Sequence, residues 1–133
     1  VPVPVVARNI PADFDIDGFL RIAKLNFVRL QAANDARNFD DLREFLAPEL
    51  FAEVKMQMEE RGMAPQVTDV LSLNAELLEV VSEPSRHVAS VRFSGMISES
   101  AGAAADSFDE VWNLVKPAAG NRGWQVAGIQ QLS

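Results

Sequence analysis

Between Asp17 and about Arg37, apolar residues recur every three or four positions: Phe19, Leu20, Ala23, Phe27, Leu30, then Ala33 or Asn34. This spacing predicts a helix with one apolar face. Asp15 and Asp17 supply an N-cap and a first-turn carboxylate that suit the helix dipole. Arg21, Lys24, Arg29 and Gln31 fall off the stripe. A second, short helix is predicted in DDLREFL, with Leu42, Phe45 and Leu46 on its apolar side and Asn38 or Asp40 as cap. Pro48 stops it and fits the first position of a third helix, PELFAEVKMQMEERG, which buries Leu50, Phe51, Val54 and Met58 and ends at Gly62.

From about Thr68 the period changes to two. Leu71, Leu73, Ala75, Leu77 and Val81 predict one strand, and Pro84 and Ser85 a turn. Between Arg86 and Ser98, Ala89, Val91, Phe93 and Ile97 alternate with Ser90, Arg92, Ser94 and Met96. Gly95 in mid-strand predicts a bulge or a close approach of two backbones. The small-residue stretch SAGAAADS reads as a hairpin loop, and Phe108 to Val115 as a third strand with Trp112 and Leu114 on one side. After a turn at Ala118–Gly123, Trp124 to Gln131 is the last strand, with a bend at Gly128.

Three helices followed by four strands in a meander specify an α+β domain. The expected packing is a strongly bent antiparallel sheet wrapped around the Asp17–Arg37 helix, giving a cone. Residues 1–12, where Pro2 and Pro4 alternate with valines, read as the extended end of a linker. Residues 13–133 form the domain.

Composition narrows the chemistry. The chain has 133 residues and 48% hydrophobic residues, enough for a real core and unlike a disordered segment. Nineteen acidic residues against 12 Lys plus Arg give a formal charge of -7, which disfavours nucleic acid as a partner. Without cysteine, neither disulfides nor thiolate chemistry is available. One histidine, His87, is a poor basis for a zinc site or a catalytic triad. No catalytic residue, metal or cofactor is therefore assigned. No apolar run reaches the roughly 20 residues that span a bilayer.

Three strand segments, SVRFSGMISE, FDEVWNLVKP and GWQVAGIQQ, together with FDIDGFLRIAKLNFVRLQAANDARNFDDLREFLAPELF, resemble the Tim44-like family of import-motor subunits. The resemblance runs from Phe14 to Gln131. It implies a cone-shaped α+β fold of the nuclear-transport-factor-two-like (cystatin-like) type. Mitochondrial members of that family sit on the matrix side of the inner membrane, tether a chaperone to the import channel, and contact cardiolipin-containing membrane through this domain. Bacterial members carry an N-terminal hydrophobic segment and a linker before it. The chain resembles a bacterial member, which implies the bacterial inner membrane through an anchor upstream of Val1; the mitochondrial inner membrane is the alternative. The implied function is a non-catalytic scaffold that binds membrane lipid, cardiolipin included, or a membrane protein.

Two candidate sites follow. Phe19, Phe27 and Leu30 with flanking Arg21 and Lys24 are the expected lipid or partner contact, although an amphipathic helix packed on a sheet has the same stripe. Phe93, Trp112 and Trp124 are the expected lining of an apolar pocket, unless they simply fill the core; a buried indole N–H needs an acceptor either way. Arg92, Glu99, Glu110 and Lys116 read as cross-strand ion pairs rather than acid–base chemistry. The recess is thus expected to lack buried titrating groups. Two alternatives stay open: an isomerase- or dehydratase-like enzyme of the same fold, marked by an ionisable group deep in a cavity, and a homodimerisation module.

Overall fold

A computed structural model describes residues 14–61, 67–98, 104–120 and 123–132. The expected linker, the Gly62 stop, the first half of SAGAAADS and Glu99 lie outside these described residues.

Helix α1 spans Ile16–Ala36. Asp15 caps it, its Oδ1 accepting from the Gly18 N–H at 3.0 Å. Among the helical caps, Arg37 adopts the left-handed conformation (φ 56°) and returns its N–H to the Ala33 and Asn34 carbonyls. The Arg37 guanidinium also donates to the Met58 carbonyl at 3.1 Å, which ties the end of α1 to the third helix. Helix α2, Phe39–Phe45, is capped by Asn38, and α3 runs from Pro48 to Arg61. The link between them is fastened to the sheet: the Ala47 N–H donates to the Val126 carbonyl at 2.8 Å.

Strands β1 (Asp69–Ser82), β2 (Arg86–Ser98), β3 (Asp106–Pro117) and β4 (Gln125–Gln131) form one antiparallel sheet in the order β1-β2-β3-β4. The fold is the expected α+β arrangement, three helices on a four-stranded meander.

Strict alternation along β1 does not hold. The β1–β2 register shifts between Val70 and Ser72 and again between Leu77 and Glu79. Each bulge moves the following residue to the opposite face. Leu71 and Val81, expected inside, are therefore exposed, and Val80 is buried instead. Gly95, paired with Leu73 beside the first bulge, has no room for a side chain, since a Cβ there would lie 2.1 Å from the Ser72 carbonyl oxygen. The shift between Asn113 and Leu114 on β3 accompanies the predicted bend at Gly128.

The core lies between α1 and the sheet. The Phe27 ring sits 5.0 Å from Phe93 and 5.2 Å from both Phe108 and Trp112. Phe19 meets Trp124 edge-on at 5.0 Å. Leu42, Phe45, Leu46 and Leu50 extend this core under the shorter helices.

Candidate functional site

On β3, Phe108, Glu110, Trp112 and Leu114 are two residues apart and share the inward face. A carboxylate is thereby carried into the aromatic layer. Glu110 pairs in register with Phe93 on β2 and Gln131 on β4. The fully buried Trp112 donates its indole N–H to Glu110 Oε1 at 2.9 Å, which satisfies the indole. Burial pushes the Glu110 pKa up, and the neighbouring Asp109 charge adds to the rise; the Trp112 hydrogen bond opposes it.

Glu110 faces a recess of about 500 Å³ between α1, α3 and the β3–β4 end of the sheet. Leu50, Val54, Met58 and Ile129 give it apolar walls. Gln31, Asn34, Gln57 and Gln131 add amide groups, and Glu53 a second carboxylate. Gln31, Glu110 and Gln131 also border a smaller hollow of about 260 Å³ beneath Phe27 and Phe108.

This corrects two expectations. The recess is not purely apolar, since it contains a half-buried titrating group. Glu110 also does not join Arg92 in a cross-strand pair. Arg92 lies on the outer face and binds Asp109 through two hydrogen bonds of 2.9 and 2.6 Å. This contact lowers the Asp109 pKa, chiefly through the hydrogen bonds and further through the Arg92 charge. The carboxylate that partners Arg92 is thus Asp109, outside the expected set of Arg92, Glu99, Glu110 and Lys116, because adjacent strand residues point to opposite faces and Glu110 is turned inward. His87 stays beside the β1–β2 turn, its Nδ1 within 2.9 Å of Ser82 Oγ.

Of the expected lipid contacts, Phe19, Phe27 and Leu30 are buried against the sheet, while Arg21 and Lys24 are exposed. The outward side of α1 instead presents Ile22, Leu25 and Val28, which are 47%, 64% and 47% exposed. Val28 and Ala32 border a shallow groove that continues to Leu71 on the open edge of β1. Of the expected pocket residues, Phe93 and Trp112 are fully buried in the core, and Trp124 is partly buried against Phe19. They stand behind the recess and do not line it.

Two signals for these residues are present in the sequence. The alternation that puts Trp112 and Leu114 inside puts Glu110 there too. Ile22, Leu25 and Val28 repeat at three-residue spacing opposite the denser Phe and Leu stripe.

Among the described residues, no group of His, Asp and Glu is arranged to hold a metal ion. No helix among them is long and apolar enough to cross a membrane. No curated protein matches the chain. The profile of the Tim44-like domain matches residues 4–131, nearly its whole length, with the helix order and sheet just described. The chain belongs to the Tim44-like domain family.

Proposed function

We propose that this is a non-catalytic, membrane-associated binding domain that docks on anionic bilayer surfaces through the outward face of α1. The carrying observation is that Ile22, Leu25 and Val28 form an exposed apolar row flanked by the exposed cations Arg21 and Lys24. A row of this kind inserts shallowly at the headgroup boundary while the cations meet lipid phosphates. Family membership supports a role at a membrane linked to protein transport. The bacterial inner membrane, reached through an upstream anchor, is the location proposed, and cardiolipin the lipid. An anchor raises the effective concentration of the domain at the bilayer, so a weak contact suffices.

The overall charge of -7 opposes anionic surfaces and limits affinity. Co-sedimentation with vesicles tests the reading. The domain should bind cardiolipin-containing vesicles weakly, release at moderate salt, and lose binding in Arg21→Glu/Lys24→Glu and in Leu25→Ser. Equal binding to neutral vesicles would refute the role of the cations. Full binding by Leu25→Ser would refute the apolar row.

A further inference from the structure

The recess beneath α1 is a separate site from the outward face of that helix. Leu50, Val54, Met58 and Ile129 give it apolar surface, four amide side chains line it beside them, and its ionisable members, Glu53 and Glu110, are both acidic. Asp106, at the adjoining hollow, has the same sign. Among the described residues lining either space, none is Lys, Arg or His. A carboxylate removed from water is costly unless something compensates its charge. Trp112 supplies one hydrogen bond to Glu110 but no charge. A carboxylate has acceptor capacity for further donors after that single bond.

We infer that this recess binds a small organic cation, an ammonium or guanidinium group on a short apolar body, with Glu110 as its counter-ion. The N–H groups of such a ligand would bond Glu110 and find further acceptors in the amide oxygens of Gln31 and Gln131, which border the same space. Its hydrocarbon would lie against Leu50, Val54, Met58 and Ile129. The volume, about 500 Å³, falls in the range of small-molecule sites, about 300–1,000 Å³. The raised pKa of Glu110 fits a carboxylate with no cation among the described residues that line the recess. Glu53, on α3, strengthens the negative field at the mouth. Neither group is needed for docking through α1, so the inference goes beyond the proposed membrane role.

The test uses 4-phenylbutylamine and its neutral analogue 4-phenylbutanol, with binding read by chemical-shift titration of the intact chain. A charge-assisted bond to Glu110 should make the amine bind at least about tenfold tighter than the alcohol. Glu110→Gln, which keeps an acceptor for the Trp112 N–H, should bring the amine down to the level of the alcohol. Val54→Trp, which fills the recess without changing charge, should abolish both titrations. Equal binding of the two probes by the unaltered chain would overturn the inference. So would amine preference surviving in Glu110→Gln, or shifts that map to Ile22 and Leu25 instead of Val54 and Ile129.

Discussion

Which side of α1 faces the core decides which residues are free to meet a membrane, and a pair of truncations separates the two faces. Phe27 is 1% exposed and its ring touches three others, whereas Leu25, two residues earlier, is 64% exposed. A buried Phe removes about 150–250 Å² from water. At about 25 cal/mol/Å², this area is worth about 4–6 kcal/mol as an upper bound. Alanine keeps the Cβ, and the cavity left behind adds a cost, so Phe27→Ala should destabilise by about 3–5 kcal/mol. That is a large part of the roughly 5–15 kcal/mol that holds a domain together. Leu25→Ala removes a side chain that is mostly in water and replaces it with the best helix former, so its effect should stay within about 0.5 kcal/mol. Urea unfolding followed by the fluorescence of Trp112 and Trp124 measures both. With a slope of about 2 kcal/mol/M, Phe27→Ala should lower the midpoint by about 1.5–2.5 M and Leu25→Ala should hardly move it. Comparable losses in the two variants would refute the face assignment, and the docking proposal with it. A wild-type midpoint for Phe27→Ala would refute the packing of α1 on the sheet.

Glu110→Gln should raise the melting temperature at neutral pH and leave it little changed in acid. The folded-state pKa of Glu110 is raised, so the protein loses stability as pH climbs from the ordinary glutamate value through the raised one; an unchanged neutral-pH melting temperature would contradict its burial. Asp109 and Asp41 titrate in the opposite sense. Hydrogen bonds from Arg92 and Arg29 lower their pKa values, so their contribution is present above the ordinary aspartate value and is lost as pH falls through the lowered one. Asp109→Asn with Asp41→Asn should therefore flatten the acid limb of a stability–pH curve, and an unaltered limb would count against both pairs. Gly95→Ala should cost at least about 1–3 kcal/mol, because the added methyl meets backbone and β1 must part from β2 to admit it; amide exchange at Leu73 and Ser72 should accelerate, and normal protection there would show that the sheet can yield.

Regular periodicity made much of this fold legible. The 3.6-residue stripe from Phe19 to Leu30 located α1 and its buried side, and alternation through β2 and β3 placed Phe93, Trp112 and Leu114 inside. The β1 bulges were not legible, because one inserted residue reverses the alternation without any marker of its own in a run as uniform as VLSLNAELLEVV. Gly95 betrayed one of them from the facing strand. The recess was illegible for a different reason: its volume depends on how far α3 stands from β4, which no spacing within either segment encodes. Glu110 was readable in principle. Grouping it by charge with Arg92, Glu99 and Lys116, when the alternation set it on the face opposite Arg92, is what hid it.

The bond from Ala47 to Val126 joins the helical half of the domain to its final strand. A chain that stops short of β4 therefore leaves the α2–α3 corner without its backbone tie to the sheet. During synthesis the helices emerge first and must wait for that strand, their apolar faces uncovered in the meantime. A truncation that removes only β4 should therefore yield an aggregating helical fragment rather than a smaller working domain.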